Sequence, residues 1–218
     1  MKYIFMAGAP GSKWSSVAKN IYFSPDIDRS DASSQREYWH DASGTRQLMH
    51  MGAYFDPGME FGKFFDRIHR YTREECEAEF DRAFAPDRNG IRIIKSHVFS
   101  TQLHLLRERW PDVPIILVHR GDDACLDWWV KCGHFDITYP KYATYYQNLQ
   151  RMAGIIHHQN QGITQAIVDH ATTKKIPQTN IELCDILNIA RPTNNSVYNS
   201  VHNSVYDYQR HDIEVTVI

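Results

Sequence analysis

Basic and hydroxyl side chains recur at three places in this chain, each at the end of an apolar run. The first is "GAPGSKWSS", Gly8 to Ser16, which follows "KYIFMA". The second is Lys95-Ser96-His97, after "IRII", and the third is Arg120, after "PIILVH". Glycine lets a backbone pass close to an anion. The first amides of a helix have no intrahelical acceptor and point outward. Gly11, Ser12, Lys13, Trp14, Ser15 and Ser16 therefore read as an anion-binding turn, or as an ordinary strand-to-helix turn capped by Ser12. Cations and hydroxyls without a carboxylate pair suit a ligand with several anionic groups, and a reaction that needs a base but no metal. His97 is the expected base, because an unperturbed imidazole titrates near pH ~6.5 and is neutral in a cell. The plainer alternatives are a His97 bonded to backbone and an Arg120 paired with Asp122 or Asp123.

These groups meet only if their runs are neighbouring parallel strands. "KYIFMAG", "GIRIIKSH" and "VPIILVHR" read as buried strands. Helical spacing follows each of them, in "SKWSSVAKNIYF", "STQLHLLRERW" and "DDACLDWWVKCG". Pro111 should stop the second helix; Asp122 and Asp123 favour the start of the third, and Gly133 its end. Alternating strands and helices imply a mostly parallel sheet flanked by helices, with ligands beyond the carboxyl ends of the strands. "FGKFFDRIHRY" and "REECEAEFDRAF" read as two further amphipathic helices, the second capped by Thr72 with Glu75. Residues 139–175 read as mostly helix, weakest at Gly154 and Gly162, and "TNIELCDILNI" as another helix. Residues 24–58 read as a long loop, and such loops are usually functional.

One α/β domain is expected over residues 1–192. A low-complexity tail follows over 193–218, with N-S-V-aromatic repeated across 195–206 and a possible edge strand in "HDIEVTVI". Formal net charge is −2, from 24 basic and 26 acidic residues, which predicts no nucleic-acid partner and makes any anion site a local cluster. Cys76, Cys125, Cys132 and Cys184 form no C-x-x-C pair, which fits reduced thiols and a cytoplasmic location. No apolar run approaches the ~18 residues of a membrane span.

The first turn almost matches the phosphate loop G-x-x-x-x-G-K-[ST], but Lys13 stands where the second glycine belongs and Trp14 separates the lysine from the serine. A P-loop kinase needs that hydroxyl beside the lysine for Mg²⁺. The order of motifs instead resembles the sulfotransferases that use PAPS (3′-phosphoadenosine-5′-phosphosulfate). Their first loop, roughly P-[KR]-S-G-T-T-W, is similar to Pro10-Gly11-Ser12-Lys13-Trp14-Ser15-Ser16. Their strand ending K-[TS]-H is similar to "IIKSH", and their V-x-R-N-P-x-D-x-x-x-S is similar to "VHRGDDACLDW", with Arg120 at the arginine and Asp123 matched to the aspartate one position early. "ELCDILNIARP" resembles a later short helix of that family. Four departures stand out: Gly11 at the Lys/Arg position, Trp14-Ser15 for Thr-Thr, Trp128 for the serine, and no R-K-G-x-x-G segment.

The resemblance implies a P-loop NTPase-like sulfotransferase architecture and transfer of a sulfuryl group from PAPS to a hydroxyl on a small molecule or carbohydrate, with PAP, its desulfated form, as product. It implies His97 as base, with Lys13 and Lys95 assisting and Arg120 on the 3′-phosphate. No metal is implied. In "HMGAYFDPGMEFG", His50, Asp56 and Glu60 are candidates for contact with the acceptor, with His40 and Tyr54 weaker ones, or Asp56-Pro57-Gly58 is a plain turn. Trp128 and Trp129 read as packing, and His157-His158 as a solvated helix face. The alternatives kept open are a P-loop kinase with an eroded loop and a nucleotide-phosphate binding protein without catalysis.

Overall fold

Strand β1, Tyr3–Gly8, is buried along its whole length. The structure is a computed structural model that describes residues 1–40, 47–50, 52–132, 142–192 and 208–218. It places β1 between β4 (Arg92–Lys95) and β5 (Ile115–His119), both parallel to it. β6, Glu214–Val217, pairs antiparallel with the outer side of β5, so the sheet order is β4-β1-β5-β6. This is a mixed, mostly parallel sheet, and "HDIEVTVI" supplies its edge strand as expected. Residues 195–206 and Gly133 lie outside the described residues.

Alternation along β1 sorts the core into two layers. Ile4 and Met6 face one side with Ile93, Ile116 and Val118. That side is covered by α1 (Trp14–Tyr22), α4 (Asp122–Lys131), α7 (Asn180–Leu187) and the first half of α6 (Leu149–Asp169). Tyr3, Phe5 and Ala7 face the other side with Ile94, Ile115 and Leu117, under α2 (Arg73–Asp81), α3 (Leu103–Arg109) and the second half of α6. α6 therefore joins both layers. At Gly162 it runs so close to residues 98–101 that an added Cβ would lie 2.1 Å from the Ser100 carbonyl. The expected capping box of α2 is present: the Thr72 hydroxyl accepts the Glu75 amide at 3.2 Å, and the Glu75 carboxylate accepts the Thr72 amide at 2.8 Å.

Three local expectations are corrected. Residues 24–58 are not one loop, because β2 (Tyr38–His40) and β3 (Gln47–His50) form an antiparallel hairpin within them. "FGKFFDRIHRY" is not an α-helix but a 3₁₀ segment over Phe65–Arg70, interrupted at Arg67. The tighter winding stacks residues three apart, and Phe65 and Ile68 both enter the core. "STQLHLLRERW" likewise begins as 3₁₀ over Val98–Thr101 before α3 starts. The 139–175 stretch holds α5, Tyr142–Tyr146, and α6. The four cysteines are buried and free. Among the described residues no helix is long and apolar enough to cross a membrane.

Candidate active site

The parallel register fixes the site's position. Met6 pairs with Lys95 and Gly8 with Val118, so the three strands end on the same edge of the sheet. The segments that follow are bonded to one another there. His97 Nδ1 donates to the Gly8 carbonyl, and Arg120 Nη1 donates to the Gly11 carbonyl at 3.2 Å and to the Ala124 carbonyl at 2.8 Å. Gly11, His97 and Arg120 thus surround one turn.

Gly11 has φ +81°. A Cβ there would lie 1.9 Å from the Cys125 carbonyl oxygen, so the turn is pressed against α4. Lys13 takes a left-handed conformation just before α1. The Ser12 amide bonds Ala9 O and the Ser16 amide bonds Lys13 O, while the amides of Lys13, Trp14 and Ser15 meet no carbonyl among the described residues. These open amides lie at the positive end of α1, an arrangement with the chemistry to bind an anion. The serines differ from expectation. Ser12 is fully buried and its hydroxyl has no partner among the described residues. Ser15 bonds the Tyr54 hydroxyl at 2.7 Å. The Ser16 carbonyl accepts from Asn20 within α1.

The Lys13 amine lies 5.0 Å from the Trp128 ring centroid and 3.5 Å from the His211 carbonyl. Burial first, then repulsion from Arg120, holds its pKa below the usual lysine value. Arg120 is buried and pairs with neither Asp122 nor Asp123; Asp122 instead accepts from Asn160 at 2.6 Å and from His157 at 2.7 Å. Asn160 also donates to the Arg120 carbonyl at 2.7 Å. The Arg120 Nε is a buried donor with no acceptor among the described residues.

His97 stacks on Trp14, with centroids 4.0 Å apart. A carbonyl only accepts, so its bond fixes the proton on Nδ1 and leaves the lone pair on Nε2. Burial pushes the imidazole below its ordinary pKa, against the opposing pull of Asp56 and the Gly8 carbonyl. A buried, neutral imidazole with a fixed tautomer is a competent proton acceptor.

Asp56 lies against the end of β4. Its Oδ1 accepts the Ser96 hydroxyl at 2.8 Å and the Val98 amide at 3.3 Å. Burial pushes its pKa up, while His97 and these donors pull it down. Glu60 is exposed and paired with Arg36 through two bonds of 3.0 Å, which gives it no part in this buried cluster. The side chains of His40 and His50, in the hairpin, lie outside the described residues. Two further residues were not anticipated from the sequence. Asn160 ties α6 to the Arg120 carbonyl. The Tyr145 phenol is pushed up to about 12, by burial first and then by the charges of Asp56 and Asp66. The aromatic run "YATYY" carries a signal for Tyr145; Asn160 looks like any polar residue of an amphipathic helix.

Lys95 is buried on the α1 side, its amine 4.7 Å from the Tyr54 ring centroid and in the field of Asp31. Burial pushes its pKa down to about 8. The folded chain therefore binds fewer protons than the unfolded chain between pH ~8 and the ordinary lysine value near 10.4, and this residue's penalty disappears as pH rises. Lys95→Met removes that penalty. Denaturant titrations should show the variant's stability, relative to wild type, falling by about 3 kcal/mol between pH ~7.5 and ~10.5. A flat difference would mean that the amine stays charged throughout. Contributions from the buried thiols are common to both proteins and cancel.

Comparison with protein-family models, with curated proteins and with solved structures finds no match to the chain.

Proposed function

We propose that this protein transfers a sulfuryl group from PAPS to a hydroxyl acceptor, with His97 as general base. The observation that carries the reading is the bond from His97 Nδ1 to the Gly8 carbonyl. It joins the proton acceptor to the anion-binding turn and leaves Nε2 to take a proton. The residues present fit a phosphate-bearing donor: open amides at the start of α1, the Lys13 amine, and the buried Arg120 Nε without an acceptor among the described residues. Such a donor, when bound, supplies a sulfuryl group joined to a phosphate leaving group.

On this reading the amides of Lys13, Trp14 and Ser15 hold the 5′-phosphate and meet charge as it develops. Arg120, already fixed to the turn through Nη1, offers Nε to a second anionic group. His97 Nε2 takes the acceptor's proton, and Trp14 keeps the ring in place. Lys95, buried behind Tyr54 and in the field of Asp31, stands one layer back from these groups. The finer architecture proposed is that of the P-loop-like sulfotransferases, and the acceptor class a small molecule or carbohydrate.

A second reading, a phosphate-binding protein without transfer, is favoured by the Lys13 amine lying between Trp128 and the His211 carbonyl. Calorimetric titration with PAP, and separately with ATP and Mg²⁺, tests both against a kinase. PAP binding without ATP binding is expected. ATP binding alone would favour a kinase. Binding of neither would remove the nucleotide reading. PAP binding with no turnover of PAPS across hydroxyl acceptors would leave the second reading standing.

A further inference from the structure

The carboxylate of Asp56 is fully enclosed. Its Oδ1 gathers the end of β4: the Ser96 hydroxyl, the Val98 amide and the His97 amide all donate to the group. Its Oδ2 is buried with no partner among the described residues. An enclosed carboxylate is costly unless a positive charge offsets it. We propose that Asp56 is the positioning carboxylate of His97: it holds the strand end that carries the imidazole, and it stabilises the imidazolium formed when Nε2 takes a proton. This rests on the reading of His97 as base, and it moves Asp56 from the acceptor's side to the base's side.

The surroundings leave Asp56 as the partner. From the 52–58 segment, Tyr54 stacks toward His97 with centroids 6.3 Å apart, and Asp56 acts on the ring by charge. From α1, Trp14 presents an uncharged face and Ser15 bonds Tyr54. From β4, Lys95 faces Tyr54 and Asp31. From α5, Tyr145 feels Asp56 and Asp66. From the anion-binding turn, Lys13 reaches to Trp128 and His211. The proton leaves the acceptor hydroxyl and ends on Nε2; Nδ1 keeps its own proton on the Gly8 carbonyl, and the net charge gained by the ring sits beside Asp56.

The test is a nuclear magnetic resonance titration of the His97 ring in the full chain, in wild type and Asp56→Asn. Removing an adjacent negative charge should lower the His97 midpoint by roughly 1–3 pH units, with the proton still on Nδ1 above that midpoint. In wild type, the Asp56 side-chain carbon resonance should shift at the His97 midpoint, a readout that does not require the variant to fold. An unmoved His97 midpoint, or an Asp56 resonance silent at that pH, would overturn the proposal. A wild-type ring with its proton on Nε2 would overturn the base assignment instead. The two failures are therefore distinguishable.

Discussion

His97→Ala should reduce sulfuryl transfer by roughly 10²–10⁴-fold, the usual cost of losing a general base, while PAP affinity stays within about two-fold. The split follows from what each group touches. On the proposed reading Nε2 faces the acceptor's proton, whereas the donor would be held by the α1 amides, Lys13 and Arg120. Burial keeps the imidazole neutral below its ordinary pKa. The acid limb of the rate profile should therefore lie below pH ~6.5, and it should vanish in the variant. A structural role predicts something else, because His97 also stacks on Trp14 and donates to Gly8. His97→Asn separates the two. An asparagine amide can donate to a carbonyl but cannot take a proton at neutral pH. The Asn variant should melt near wild type and still lack turnover, and added imidazole should restore part of the rate in His97→Ala. Full activity in either variant would refute the assignment.

Gly11→Ala should lower stability by about 2–4 kcal/mol, combining the cost of a left-handed alanine with overpacking, and should abolish PAP binding. The new methyl would lie 1.9 Å from the Cys125 carbonyl. That carbonyl belongs to α4, whose first turn is bonded to Arg120 and, through Asp122, to Asn160. Relief by moving α4 would therefore disturb the Arg120 contact to Gly11, and relief by moving the turn would disperse the amides. The expected fall in melting temperature is roughly 5–15 °C for a chain of this size. Wild-type melting with intact PAP binding would show that the turn tolerates a Cβ and does not grip an anion through its backbone.

The three strands were legible because each holds an apolar stretch bounded by glycine or proline, flanked in β4 by Arg92 and Lys95, and a parallel sheet then puts their ends together. The turn after β1 was legible because glycines and small residues cluster between an apolar run and a helical pattern, although Lys13 also takes the left-handed conformation there. The side-chain directions were less so. Lys95 shares strand parity with Ile93, which places it on the α1 side, a signal present in the sequence but masked by the motif around it. Asp56 in Asp56-Pro57-Gly58 looks like a turn residue, and nothing local shows that β4's end closes over it. Glu60 sits only four residues further on, yet it meets Arg36 at the surface, a pairing set by tertiary packing alone. The hairpin was missed because "YWH" and "QLMH" are too short and mixed to show a period of two. The 3₁₀ segment over Phe65–Arg70 was missed because its apolar spacing also fits an α-helix.

The sheet order has a consequence for synthesis. β1 lies in the middle of the sheet but precedes both of its partners, which begin at Arg92 and Ile115. At roughly 5–20 residues per second, the ribosome needs about 6–23 s to deliver both neighbours. Until Arg92–Lys95 is made this strand has no backbone partner, and until Ile115–His119 is made one of its edges stays open; unpaired apolar edges are the surfaces that aggregate. The outer edge of β5 then waits for Glu214–Val217, almost a hundred residues later. The turn after β1 is thus made long before the segments that lock it, since Gly11 rests on α4 and Lys13 on the turn that precedes β6. The turn's final setting therefore waits on segments around Cys125 and His211, so the proposed ligand site would form all at once, late in synthesis.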